Sequence, residues 1–385
     1  MTPPPRTASV VIVGGGCIGA SVAFHLARAG LQDIVLVEAE RLGSGSTGRS
    51  AGGVRHQFAT ELNVRLSLES IAFLERFEQE TGAAADLRLT GYLMLAHSPA
   101  AWRSLQESVA LQKSLGVPAH LLTPRECREF VPQLRTDGLL GASFGERDGH
   151  AVPENVVQGL AGAARRLGAT ILEGTPVTAL TRQGDAVTGV QTPAGPIAAP
   201  IVVLATGAFT RPLAERAGLD IPIDPVRRCV YVTRPFAGMP EHIPMVIDFD
   251  TGFYFRREGA GLIIGMRNPE EPPGLGTAVD WAFFEQVSRR AAWVCPTLAE
   301  AAILRGWAGL HEDTPDHNGI LSWVAGCPGL LVAAGFSGHG FMHSPATGRI
   351  AADLVLGRDC GLDLAPLSLG RFAGRRAMAG EAAFI

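Results

Sequence analysis

The chain opens on an uninterrupted apolar run. Residues 9–13 read Ser-Val-Val-Ile-Val, a short β-branched stretch that predicts a strand buried on both faces. Residues 21–29 place small and apolar side chains at helical spacing and stop at Gly30, which predicts a helix. Residues 33–38, DIVLVE, repeat the buried-strand pattern. A β-α-β unit therefore fills the first 38 residues. Further on, residues 60–82 predict a long amphipathic helix, and residues 153–168 another, opened by Pro153. Residues 87–147 alternate short strands, such as 91–96, with helical stretches. Strands are expected at 169–174, 176–182, 185–192 and, deeply buried, 201–209. Residues 227–234, 245–249, 252–257 and 261–267 are β-rich runs divided by turn residues, which predicts an antiparallel region. A helix is expected over 280–293. Residues 329–335 form a last buried strand that runs into a loop and a helix through residue 357. No internal repeat is present.

Length and composition narrow the class. A chain of 385 residues exceeds one compact core and predicts two domains. With 46% apolar and 18% charged residues it can bury a large core, so disorder is excluded. A net charge of −4 gives no basic footprint for nucleic acid. Lys113 is the one lysine among 33 basic residues. It follows no Gly-rich phosphate loop, which excludes a P-loop ATPase. Its helix looks solvated, which argues against a Schiff-base enzyme. The six cysteines form no C-x-x-C and none pairs with His at zinc spacing, so no metal site is expected. They read as reduced thiols of a cytoplasmic protein. The N-terminus is too short and Pro-rich for a signal peptide, and no apolar run is long enough to span a membrane.

Gly14, Gly16 and Gly19 form G-x-G-x-x-G between a predicted strand and a predicted helix. The first permits the tight turn, the second a close backbone approach to a pyrophosphate, the third close helix packing. The helix start then offers amide groups to the phosphates. Glu38 ends the second strand 19 residues after Gly19. An acid there accepts hydrogen bonds from a ribose diol and disfavours a 2′-phosphate. NAD and FAD both stay open on this spacing. The small-residue loop GSGSTGRSAGG at 43–53 favours FAD, because it returns the chain to the cofactor.

The remaining motifs add a resemblance. VVIVGGGCIGASVAFHLA with Glu38, GSGSTGRSAGGVRHQF, GTPVTAL, LATGAF, TPDHNGIL and GLLVAAGFSGHGFMHSPATG are spread from end to end of the chain. With them the chain resembles FAD-dependent amine and amino-acid oxidoreductases of the D-amino-acid oxidase superfamily. Sarcosine oxidase, dimethylglycine dehydrogenase and the proline dehydrogenase beta subunit are its nearest look-alikes. The resemblance implies an α/β protein with a discontinuous Rossmann-like FAD-binding domain over 1–85, 148–215 and 306–385. An α+β substrate domain over 86–147 and 216–305 would be built on an antiparallel sheet that roofs the flavin.

Carried over residue by residue, Gly14, Gly16, Cys17, Ile18 and Gly19 match the pyrophosphate turn, and Glu38 with Ala39 the ribose site. Ser46, Thr47, Arg49, Ser50 and Ala51 match the loop passing the phosphates and flavin. Val177 matches the residue that meets adenine. Ala205 and Gly207 match the strand end beside the cofactor. Gly338, His339, Gly340, Phe341 and Met342 match the loop facing the flavin pyrimidine. Arg55 matches the arginine that binds a substrate carboxylate, and its planar fork suits that task. Tyr254 matches an active-site tyrosine on the roof. Arg256 shares its face by the strand period of two, whereas Phe255 points the other way.

The departures bear on chemistry. Arg49 stands where relatives carry a flavin-linking histidine, and Gly309 where others carry a flavin-linking cysteine, so FAD is expected to be non-covalent. Met342 replaces a lysine of the carboxylate clamp. Ile263 replaces an oxygen-activating lysine, which leans toward a dehydrogenase, with Arg267 a nearby substitute. The implied reaction is oxidation of the C–N bond of a small amino acid or an N-methylated or secondary amine. A hydride would pass to flavin N5 and leave an imine that water hydrolyses. Three rival readings remain: a subunit of a hetero-oligomeric dehydrogenase with an electron-accepting partner, a 2-hydroxy-acid oxidoreductase, and an FAD-binding assembly factor without turnover.

Overall fold

The structure, a computed structural model, describes residues 5–373 and 380–381. Strands Ile320–Trp323, Leu330–Ala334, Val202–Leu204, Val10–Val13, Ile34–Val37 and Thr170–Leu172 lie side by side in that order. All neighbours are parallel except the edge pair Ile320–Trp323 and Leu330–Ala334. The first strand shows why these segments are apolar throughout. Val10 and Ile12 point into a core shared with helices Cys17–Arg28, Pro153–Arg166 and Gly340–Val355. Val11 and Val13 point into a second core, under a three-stranded antiparallel sheet of Ala179–Gln183, Ala186–Thr192 and Gly195–Ala198. Both faces are covered, so neither alternates with polar residues. Gly348 lets the last helix cross the first closely, because a Cβ there would lie 2.1 Å from Ser21 Oγ.

A larger sheet of eight strands stands beside this one. Its order is Ile303–Asp313, Asp224–Thr233, Gly261–Gly265, Phe253–Glu258, Met245–Asp248, Tyr92–Ala96, Gly141–Gly145 and Ala119–Leu122. It is antiparallel except where Met245–Asp248 runs parallel to Tyr92–Ala96. That one pairing joins chain segments about 150 residues apart. The period of two divides the faces. Leu93, Leu95, Phe253, Phe255, Leu262 and Ile264 pack with Val287, Ala291 and Val294 of helix Phe284–Val294. The opposite face carries Tyr92, Met94, Ile247, Val230, Val232, Ile263 and Tyr254.

Several elements differ from the sequence pattern. The helix expected over 60–82 is two helices, Glu61–Glu75 and Phe77–Thr81, divided at Arg76 and closed by Gly82 at φ 72°. The helix expected from 280 begins at Phe284, because the Asp280 carboxylate accepts the Phe283 N–H at 2.9 Å and holds a turn there. The first helix begins at Cys17 rather than 21, directly on the glycine turn. The strand expected over 201–209 stops at Leu204, and Gly207 at φ 53° opens a short 3-10 turn. The pattern gives no sign of strand Ile303–Asp313, whose apolar residues are interrupted by Arg305, Gly306 and Gly309. Among the described residues no helix is long and apolar enough to cross a membrane.

Candidate active site

The cofactor cradle starts at the end of strand Val10–Val13. Gly14 has φ 105°, and a Cβ there would lie 2.3 Å from the Ala205 carbonyl oxygen. Only glycine fits that close crossing. A Cβ at Gly19 would lie 1.9 Å from the Gly14 carbonyl oxygen, so the helix sits directly on the turn. Gly16 faces the Thr47 hydroxyl, 3.1 Å from where its Cβ would stand. Thr47 Oγ1 accepts the Cys17 N–H at 3.1 Å, which ties the loop at 46–51 to the helix start. Helix-start amides point into the same space. Burial pushes the Cys17 thiol up to about 11, so it stays neutral and leaves the cradle without a thiolate. Glu38 accepts the Gly15 N–H at 2.6 Å through Oε2 and the Glu40 N–H at 2.9 Å through Oε1. Each oxygen keeps a second lone pair for a diol. Ala39 beside it is exposed. The Thr175 N–H donates to the Glu38 carbonyl at 2.8 Å, which ties the segment of half-buried Val177 to the end of strand Ile34–Val37. The glycines and Glu38 therefore present the shape and donor set that an adenine dinucleotide requires.

The loop continues against the eight-stranded sheet, the expected roof. Ser50 Oγ accepts the Gly52 N–H at 3.0 Å. Ser46 precedes the 3-10 turn Thr47–Arg49. Ala51 packs, as Tyr254 does, against the cluster of Val230, Val232 and Ile263. The Trp307 indole donates to the Arg49 carbonyl at 2.9 Å. A Cβ at Gly309 would lie 3.0 Å from Arg49 Cβ, so these two positions touch.

Arg55 is buried, and its guanidinium is held from three sides. Nη1 donates to the Gln57 carbonyl, Nη2 lies 3.3 Å from His339 Nε2, and the group stacks 4.0 Å over the Phe58 ring. Burial acts against its charge, and the Glu381 and Asp148 carboxylates act for it. Burial, with Arg55 next to it, holds His339 well below the ordinary imidazole range, so it is neutral. His343, one turn on, is lowered to about 3 for the same two reasons. Behind Arg55 lies a fully buried Asp148. Its Oδ1 accepts the His56 N–H at 2.7 Å and meets His56 Nδ1 at 2.9 Å, and its Oδ2 accepts Gln57 Nε2 at 2.9 Å. Ser143 Oγ donates to Gln57 Oε1 at 2.5 Å. This network fixes the backbone on which Arg55 stands. Replacing Asp148 with alanine strands these donors and is expected to cost about 3 kcal/mol of stability. A denaturant midpoint that does not move would contradict this role.

The roof supplies the next group. Tyr254 stands on the site face opposite Gly265, where a Cβ would lie 2.4 Å from its ring. Burial raises its hydroxyl to about 12, so it is a hydrogen-bond donor at neutral pH. Arg256 is on the same face, as the strand period requires. Its Nη2 donates to the Ala51 carbonyl at 2.8 Å and its Nη1 to Glu258 at 2.6 Å. The guanidinium thus clips the loop to the roof. Ile263 is buried between Val232 and Arg256. At the end of the roof, Arg228 pairs with Asp313 at 3.1 Å, and Arg267 acts on both of them and on His311.

The C-terminal loop closes the space. Ser337 at φ 49° and Gly338 at φ 88° make the turn, and a Cβ at Gly338 would lie 2.4 Å from the His311 ring. His339 caps the helix that starts at Gly340, with Phe341 and Met342 buried in its first turn. Ala205 is buried and Gly207 half-buried across from this loop. The structure therefore gathers the glycine turn, Thr47, Gly207 and the Gly340 helix start, and sets Arg55, His339 and Tyr254 around the same region. Gln57 and Phe58 close the GSGSTGRSAGGVRHQF motif without a role of their own there, and no motif includes Tyr92, Asp148 or Glu312. A Cβ at Gly53 would lie 2.0 Å from the Tyr92 hydroxyl, so Tyr92 touches the loop. Its period-two position in YLMLA, on the face of Met94, is the signal that could have found it.

Comparison with known proteins decides the family. The family model described as FAD dependent oxidoreductase matches residues 9–354. The chain belongs to this family. FAD is its cofactor, and the cradle described above fits it. The FAD-dependent oxidoreductase domain-containing protein 1 of Xenopus laevis is 33% identical over 417 residues, covering 96% of this chain and 83% of that protein. The 4-methylaminobutanoate oxidase (formaldehyde-forming) of Paenarthrobacter nicotinovorans is 32% identical over 384 residues, covering 97% of this chain. The oxidoreductase spans 47% of that relative's own length. The crystal structure of L-proline dehydrogenase from P. horikoshii superposes with a TM-score of 0.89 at 33% identity, over 96% of this chain and 99% of that one.

Proposed function

We propose that this oxidoreductase oxidises the C–N bond of a small amino acid or of an N-methylated or secondary amine. The observation that carries the reading is the buried Arg55 fork beside His339. It offers a desolvated cation to a substrate carboxylate, where charge-assisted bonds are strong. The names of two relatives, an oxidase of 4-methylaminobutanoate and a dehydrogenase of L-proline, support an amine that also bears a carboxylate. Bound FAD supplies a two-electron acceptor. Arg55 holds the carboxylate and so orients the α-carbon. Tyr254, from the roof, donates a hydrogen bond and excludes water. Arg256 positions the loop rather than touching substrate.

Residues 1–85, 148–215 and 306–385 would hold the cofactor, and 86–147 and 216–305 the roof. FAD would be non-covalent, since the touching positions Arg49 and Gly309 offer neither histidine nor cysteine. Ile263 places an apolar side chain on the roof where the resemblance expects an oxygen-activating lysine. We therefore assign the electrons to a partner subunit rather than to oxygen. Six free cysteines, five of them buried, support a reducing compartment such as the cytoplasm.

A steady-state screen tests the reading. Proline, sarcosine, N-methylaminobutanoate, primary amino acids and 2-hydroxy acids are each offered with an artificial dye as acceptor, then with oxygen alone. The expected result is turnover of an amine with the dye and much slower turnover with oxygen. Turnover of a hydroxy acid alone would overturn it.

A further inference from the structure

Glu312 has no part in the chemistry described so far, yet its carboxyl group stands where three glycine-bearing segments meet. Its Oε2 accepts the Gly335 N–H at 2.9 Å, and the Phe336 N–H also favours its charge. A Cβ at Gly207 would lie 3.4 Å from Oε2, and one at Gly340 would lie 3.4 Å from Oε1. Its charge acts on the Cys17 thiol, at the start of the helix that follows the glycine motif. The carboxyl group thus faces the end of strand Val202–Leu204, the start of helix Gly340–Val355 and the start of helix Cys17–Arg28. These segments carry the glycines of the cradle in which FAD would lie.

An ionised carboxyl there would face a diphosphate in a partly dry site, and like charges in such a site favour the neutral acid. The neutral acid also gains an O–H that can donate to a phosphate or ribityl oxygen. Burial already raises Glu312 to about 7, the Gly335 and Phe336 N–H groups oppose the rise, and Asp313 adds to it. Among the described residues the charge that acts on it is the acid Asp313. Cys17 and His339 are neutral, His311 beside it in the strand is held neutral by burial, and residues 205–209 contain no titratable side chain. On the neighbouring strand Arg228 is paired to Asp313, and Asp224 is acidic.

We infer that Glu312 is a cofactor-holding acid that meets FAD in its protonated form, so that FAD binding takes up one proton. The full-length protein, stripped of FAD, is titrated with FAD between about pH 5.5 and 8.5 by quenching of flavin fluorescence. Kd is expected to rise about tenfold per pH unit above about pH 7 and to level off below it. Calorimetry at alkaline pH in two buffers of different ionisation enthalpy is expected to show close to one proton taken up per FAD. Glu312→Gln, neutral at every pH and still a donor, is expected to bind FAD with an affinity that does not change with pH. A wild-type protein that takes up no proton would overturn the inference, and so would an E312Q variant with the wild-type pH dependence. The calorimetric arm needs no variant and stands even where E312Q fails to fold.

Discussion

Replacing Gly16 with valine is expected to give a folded protein that no longer retains FAD. Gly16 has φ −75°, a backbone that any residue adopts. Its Cβ would stand 3.1 Å from Thr47 Oγ1, a crowding that a shift of a few tenths of an ångström relieves. The added branches instead occupy the approach to the Cys17 helix start, where the diphosphate must lie against the backbone. A loss of at least about 100-fold in FAD affinity follows, equal to roughly 3 kcal/mol. Gly14→Val is the wrong experiment, since its Cβ would meet the Ala205 carbonyl at 2.3 Å from a φ of 105° and the fold itself would fail. The check is the ratio of flavin to protein absorbance in purified G16V, with circular dichroism for the fold. Wild-type flavin content in that variant would sink the cradle.

The second large effect belongs to Arg55. Arg55→Met removes a buried cation that bonds the Gln57 carbonyl and His339 and stacks on Phe58. Truncating one side of a buried charge pair costs about 2–5 kcal/mol, so kcat/KM for a carboxylate-bearing amine falls by about 100-fold or more. The loss is expected mostly in KM. Arg55→Lys keeps the charge but not the fork, and recovers only part of it. An amine without a carboxylate separates a binding role from a structural one. If its kcat/KM falls equally in R55M, Arg55 only props up His339 and Phe58.

Much of the cradle was legible because it is local. Gly14, Gly16, Gly19 and Glu38 fall within one β-α-β unit, and their spacing alone sets a turn, a helix start and a strand end. The split of faces on the roof was legible too, since Tyr254 and Phe255 must diverge in any strand. What escaped is what only long-range register creates. No local pattern pairs Met245–Asp248 with Tyr92–Ala96. Asp148 and Glu312 look like ordinary surface acids in the sequence, and only folding encloses the first under His56 and Gln57 and sets the second against Gly335. Arg256 was placed on the correct face, but its bond to the Ala51 carbonyl depends on a loop some 200 residues earlier. Arg55 rests on the resemblance alone, and what acts for its charge, the Glu381 and Asp148 carboxylates, comes together only in the fold.

The most direct test of the central claim is an anaerobic titration of the yellow holoenzyme with proline, sarcosine and N-methylaminobutanoate, following the flavin absorbance band. One of these amines is expected to bleach the flavin, with one equivalent of substrate oxidised per FAD. Colour is expected to return slowly in air and quickly with an artificial acceptor. A flavin that no amine or amino acid bleaches, while a 2-hydroxy acid does, would contradict the claim.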